Sequence, residues 1–323
     1  MLNGVAAQGS GAEQAARLIR QPDDRYVYTY SHQHPSIATV EAGETVKLVT
    51  LDAFANKVTS DDHKVTDKCP PPYNLDPLTG PLWIEGAERG DALRVKIHDI
   101  EPDRDFAVTA LIANFGGLTR TDATPMMHPP LEEISKVLPI RDGFVNFDDI
   151  KLPFRPFVGC IGVAPFLEAI KSLTPDTFGG NMDCMETVPG NTLILPVEHE
   201  GAHFFIGDAH AAQGEGEVSG VAAEMAARIT VSFEIDKGAA PNWPRIESET
   251  HLMVAASRRP LEDAARCAWM ELIQWLQYDY GVDPTEAYML MGVAGEMRLG
   301  NMVDPNYTMV AKINRQYIPK KQA

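Results

Sequence analysis

The chain has 323 residues, 44% of them hydrophobic, and a formal net charge of −17. That length suits a globular protein with a sizeable core, in one large domain or two smaller ones. The charge repels phosphate backbones and anionic lipid, which argues against nucleic acid and membrane surfaces as partners.

Residues 1–30 are polar and rich in Ala and Gln, which predicts an arm or a short helix. The start lacks the basic head and apolar block of a secretory signal. From 31 to 240 the signals are mostly β. "ATVEAGETVKLVTLDAF" alternates around a glycine turn. "DALRVKIHDIE" sets Leu93, Val95 and Ile97 on one face and Arg94, Lys96 and His98 on the other. Stretches such as "KCPPPYNLDPLTGP" and "KLPFRPFVGCIGVAP" mark connections or edges, because proline removes a ladder donor. "NTLILPVEHEGAHFFIGD" has the form of a hairpin. Beyond it, odd positions from Val221 to Ile235 are apolar, and even ones such as Glu224, Arg228 and Thr230 are polar. This predicts one extended strand or two collinear ones, with Glu224 on the polar face. Many short strands with such turns point to a sandwich or barrel. From 241 to 323 the character changes. Leu261, Ala265, Ala268, Leu272 and Leu276 have helical spacing, Pro260 suits the first turn and Gly281 the stop. Asp283, Pro284 and Glu286 predict a second helix with a reciprocal cap. No apolar run reaches the ~18 residues of a spanning helix.

The polar residues fall into clusters. "GDAHAAQGEGE" places Asp208 and His210 near the end of one strand and Glu215 and Glu217 near the start of the next. Carboxylate with imidazole is a donor set of the Zn²⁺ or Mn²⁺ type, and a solvated acidic loop is the competing reading. In "FGGNMDCME", Gly179 and Gly180 let the backbone approach something closely. Asn181 and Asp183 follow on one face, with an ordinary Asn/Asp turn as the alternative. His32 and His34 have the spacing of a strand-borne pair. Asp52 ends an apolar strand and Glu85 follows Trp83 and Ile84; either carboxylate needs a partner if it is buried. The four cysteines form no C-x-x-C pair and read as reduced thiols of a cytoplasmic protein. The apolar surroundings of Cys160 and the acids around Cys184 disfavour thiolates. No G-x-S-x-G elbow, P-loop or dinucleotide fingerprint is present.

Taken in order, "LDPLTGPLWIEGAERGD", "RPFVGCIGVAP", "FGGNMDCME", "LPVEHEGAHFFIGDAHAAQGEGEVSG" and "GVAGEMRLGNMVDP" resemble the acetamidase/formamidase family over roughly residues 35–315. The resemblance implies a mainly β, jelly-roll-like β-sandwich with a smaller C-terminal α/β part. The division it suggests is an arm (1–30), a β-rich amidase core (31–240) and a C-terminal part completing the site (241–323). It also implies hydrolysis of the C–N bond of short linear amides, a divalent metal (Zn, with Mn or Ca as alternatives), and a homodimer or higher homo-oligomer. The family-like positions are Asp52, Glu85, Asn181, Asp183, Asp208, His210 and Glu217. On these, Asp52, Asp183 and His210 are expected as metal ligands, with Asp208 as a further ligand or the group orienting His210. Glu217 is the expected general base, with Glu85 as a second candidate, and Gly180 and Asn181 are expected to bind substrate. The chain departs from the family pattern at Glu215, Glu296 and Asn301, which bears on pocket size. Three rivals remain: a metal-independent hydrolase using a carboxylate or Cys184, a hydrolase of a larger amide or carbamate, and a non-catalytic jelly-roll binding protein.

Overall fold

The computed structural model describes residues 16–22, 25–70, 75–118 and 131–320; most of the expected arm, residues 1–15, lies outside them. Two large sheets organise the chain. The nine-stranded sheet runs Arg17–Ile19, Thr45–Thr50, Ala227–Asp236, Ala92–Pro102, Thr192–Pro196, Arg245–Glu247, His251–Arg258, Tyr307–Asn314 and Glu296–Asn301. It crosses residue 240 without a break. In the other sheet the order is Ile150–Pro153, Phe144–Phe147, Ile134–Arg141, Phe106–Leu111, Glu224–Met225, Phe204–His210, Phe157–Val163 and Gly179–Asn181. Leu78–Ile84 also pairs with Phe204–His210 and carries Ala38–Val40 in parallel.

Alternation explains the packing between them. Leu93, Val95 and Ile97 are fully buried, while Arg94 and Lys96 are half-buried and His98 is exposed. Leu48, Val95, Leu195 and Val231 from the first sheet form one core with Leu82, Ile161, Phe204 and Ile206 from the second. Each such side chain contributes about 1.5–3 kcal/mol on burial. The fold is therefore a β-rich sandwich, as expected.

Two sequence expectations change. Residues 192–208 form no hairpin, because Thr192–Pro196 and Phe204–His210 lie in different sheets. Phe204–His210 is buried throughout and finds its edge partners, Phe157–Val163 and Leu78–Ile84, only in the second sheet. The long alternating strand breaks at Ala226. Glu224–Met225 pairs with Phe204–His210, and Ala227–Asp236 joins the first sheet. Glu224 is thus not on a solvated face; it is buried beside His210.

The helix Leu261–Tyr280 lays Ala268, Leu272 and Leu276 on Leu252, Val254 and Ile313 of the nine-stranded sheet. Gly281 ends it in the left-handed conformation (φ 67°). Asp283 caps the helix Pro284–Ala294 by accepting from the N–H groups of Thr285 (2.9 Å) and Glu286 (3.1 Å). No bond returns from the Glu286 side chain among the described residues. Asp283→Ala should cost ~1 kcal/mol and lower the melting midpoint by about 2 °C; an unshifted midpoint in a calorimetric scan would contradict that capping role.

Candidate active site

Strand ends and loops from distant parts of the chain converge on one buried spot. Phe204–His210 supplies Asp208 and His210, the segment after Gly179–Asn181 supplies Asp183, and Glu224 lies opposite His210 in register. Glu217 comes from the loop between them. Oxygens of Asp183 and Asp208 and a ring nitrogen of His210 lie within 4.8 Å of one another, and the same limit holds for His210, Glu217 and Glu224. Asp76 and Asp304 are buried beside them and line a small cavity together with Asn181, Asp208, Glu217 and Glu224. The backbone is held in the left-handed region at Asp76 (φ 55°), Asp183 (47°), Asp208 (50°) and Glu217 (48°). Each such non-glycine residue costs of order 1–3 kcal/mol, and strain of this kind gathers at functional sites.

The hydrogen-bond network defines one tautomer of His210. Gln213 Nε2 donates to the carbonyls of Gly300 (2.9 Å) and Asp183 (3.2 Å). Its Oε1 is thereby turned toward His210 Nδ1 at 2.9 Å, so Nδ1 carries the hydrogen. Nε2 then faces Asp208 Oδ2 and Glu224 Oε2, each at 3.1 Å. A lone pair opposite two carboxylates is repulsive unless a proton or a metal cation stands between them. Phe157 packs edge-on against the ring, with centroids 4.9 Å apart.

The charge balance makes the same demand. Six buried carboxylates surround one imidazole. Burial pushes Asp183 up to about 6, offset in part by His210. Burial and the Asp208 charge raise Glu224 to about 8, against the pull of His210. Glu217 rises well above the usual carboxylate range through burial and Asp183. Asp76 and Asp304 rise through burial and neighbouring carboxylates. Asp208 is drawn down by His210 despite its burial, and His210 is held up by Glu224 and Asp208 despite its own. Oδ1 of Asp208 and Oδ2 of Asp76 receive no hydrogen bond, and Asp183 meets only the carboxyls of Asp304 and Glu217. Orphaned carboxylate oxygens beside an imidazole nitrogen fit a divalent cation, which would take the place of the Nε2 proton.

Two of the residues expected at the site stand elsewhere. Asp52 is buried, but its Oδ1 accepts from the N–H groups of Phe54 (3.0 Å) and Asn56 (2.7 Å), and its Oδ2 pairs with Arg104. It shapes the turn that carries Ala53 and Phe54 to the cavity. Glu85 is exposed in the turn after Leu78–Ile84. In that pairing Leu82 lies opposite Phe204 and Glu85 continues three residues further from His210, which puts it about 30 Å along the strand. Gly180 is buried (φ 98°) and packs on the backbone of Thr174 and Pro175 without lining the cavity. Asn181 does line it, donating from Nδ2 to Asp304 Oδ2 at 3.0 Å. Of the positions departing from the family pattern, Glu215 pairs with Arg298, Glu296 with His251, and buried Asn301 holds the carbonyl of Asn181 at 3.2 Å. The thiols of Cys160 and Cys184 are buried and pushed well up by burial, then by neighbouring carboxylates, so neither is a ready nucleophile.

A family model of the acetamidase/formamidase family matches residues 17–173 and 166–317. The chain belongs to this family. It is similar to the crystal structure of an acetamidase from Yersinia enterocolitica, with 38% identity, a TM-score of 0.91, and coverage of 96% of this chain and 94% of that one. An acetamidase structure from Bacillus halodurans is 31% identical, with a TM-score of 0.83 and coverage of 93% and 98%. A putative formamidase from Schizosaccharomyces pombe is 27% identical over 64% of each chain, so this chain spans about 64% of that relative's length.

In this acetamidase/formamidase chain, Gly159 lies under both carboxylates. A Cβ there would stand 2.7 Å from Asp183 Oδ1, 2.9 Å from the Asp208 carbonyl, and closer still to Asp208 Oδ2. Gly159→Ala should displace the pair and cost ~1–3 kcal/mol as overpacking. A crystal structure of the variant with both carboxylates unmoved would refute that fit.

Proposed function

We propose that the chain hydrolyses the C–N bond of short linear amides of the formamide and acetamide type, releasing ammonia and a carboxylate. Asp183, Asp208 and His210 would hold a divalent cation. The observation that carries this reading is the gathering of those three buried donors within 4.8 Å, beside a cavity too small for a large substrate. A cation of the Zn²⁺ type, with Mn²⁺ or Ca²⁺ as alternatives, supplies carbonyl polarisation and acidifies a water when bound.

The chain's own residues do the rest. Glu217 lines the cavity, and its raised proton affinity suits a group that takes a proton from water and returns it to the leaving nitrogen. Gln213 holds the Nδ1 side of His210, which leaves Nε2 turned toward Asp208 and Glu224. Asn181 spends one Nδ2 hydrogen on Asp304 and has the other to offer a substrate carbonyl. Asp52 and Glu85 take no part, because one is saturated by its own turn and Arg104 and the other is exposed. The names of the relatives, acetamidase and formamidase, support the substrate class. Self-association is supported by the apolar side chains exposed on the edge hairpins, Ile134, Phe144, Phe147, Ile150 and Leu152. Four unpaired cysteines support a reducing, cytoplasmic setting.

Glu217→Gln should keep the fold and lower kcat by ~10²–10⁴, as measured by ammonia release from formamide and acetamide; undiminished turnover would sink the assignment. Exhaustive dialysis against EDTA should remove activity, and Zn²⁺ or Mn²⁺ should restore it. A preparation shown by elemental analysis to be metal-free yet fully active would overturn the metal reading.

A further inference from the structure

The cavity at the carboxylates has two unlike walls. One is polar, with Asn181 and the acids, and the other is apolar, with Phe54, Ile112, Phe115 and Val221. The cavity has a volume of about 20 Å³. That exceeds the ~10–15 Å³ that one water requires and is far below the ~300 Å³ of an ordinary ligand pocket. Only a molecule of a few heavy atoms enters without rearrangement. A second cavity of about 120 Å³, lined by Leu111, Val218 and other largely apolar residues, also has Ile112 and Phe115 in its wall. These two side chains are common to both cavities.

The partition is a built feature. Phe115 N–H donates to the Ile112 carbonyl at 3.1 Å, and Gly117 N–H to the Val218 carbonyl at 2.9 Å. Two glycines let the segments close on each other. A Cβ at Gly116 (φ 107°) would lie 2.6 Å from the Ser219 carbonyl, and one at Gly220 (φ 88°) would lie 2.6 Å from the Phe115 ring. The ring therefore rests on bare backbone next to the acidic cluster.

We infer that Phe115, backed by Ile112, is the specificity-determining residue that limits the acyl group to one or two carbons, an inference that rests on the amidase reading. The polar end of an amide is drawn to Asn181 and the carboxylates, so its acyl carbon turns to the apolar wall. Further methylenes run into the Phe115 ring, behind which lies the second, largely apolar cavity. Shortening the ring joins the two spaces and makes room for a longer chain.

The test is kcat/KM for ammonia release from formamide, acetamide, propionamide and butyramide, with the wild type, Phe115→Ala and the milder Phe115→Leu, each confirmed folded by its melting transition. The wild type should fall by roughly 10- to 200-fold per methylene beyond acetamide, the range a tight apolar pocket imposes. Phe115→Ala should raise the butyramide-to-formamide ratio of kcat/KM by at least about tenfold, with Phe115→Leu shifting it in the same direction by less. Should Phe115→Ala fail to fold, the same rise in Phe115→Leu decides the matter. An unchanged ratio in a folded variant of an active enzyme overturns the inference and leaves the amidase reading standing. A uniform rise for all four amides also overturns it, because the ring would then govern entry and not chain length. A wild type that releases no ammonia from any of the four overturns the amidase reading, and this inference with it.

Discussion

Six buried carboxylates around a single imidazole are the constraint on which the rest of the structure depends. Asp76, Asp183, Asp208, Glu217, Glu224 and Asp304 are all 7% exposed or less. Left ionised and unpaired, each would carry a desolvation penalty of several kcal/mol. The chain has only partial remedies within itself: a charged His210, raised proton affinities at most of the acids, and a few backbone donors. A divalent cation at the Nε2 side of His210, as we propose, would be the remaining remedy. Such a cation also carries the chemistry the family reading calls for.

The fold supplies the site by crossing between sheets. Asp208 and His210 come from a strand buried on both faces, and Glu224 comes from a two-residue strand that leaves the alternating run for the other sheet. Gly159 gives the two carboxylates space that any side chain would occupy, and Gln213 orients His210 by spending its own donors on two backbone carbonyls. Four left-handed acids show that the backbone accepts strain to aim these groups. The same close approach recurs on the apolar side, where Gly116 and Gly220 let Phe115 stand at the edge of the cavity. One set of contacts thus gathers charge and the other restricts volume.

Much of the β architecture was legible as alternation, most cleanly at Leu93, Val95 and Ile97, and the two late helices were legible from Pro260, Gly281 and Asp283. Within the site, "GDAH" and "NMDC" were visible because acids and a histidine stood among glycines. Glu224 was hidden by its own pattern: period two assigned it to a solvated face, and only the break at Ala226 turns that face inward. Asp76 lies in a proline-rich connection and Asp304 after a Met-rich tail, where nothing local marks an acid as buried. Gln213 and Gly159 act through distances that no spacing rule encodes. Asp52 and Glu85 were plausible by position, but hydrogen bonding saturates the first and strand register carries the second to the far end of the sheet.

The central claim is that Asp183, Asp208 and His210 share one cation. Its most direct measurement is an anomalous difference map from crystals grown with Mn²⁺ and measured above and below the manganese edge. The account predicts a peak within bonding distance of oxygens from both aspartates and of His210 Nε2, with Nδ1 still bonded to Gln213. A map with no peak there, and the aspartates bonded directly to a protonated His210, would contradict it.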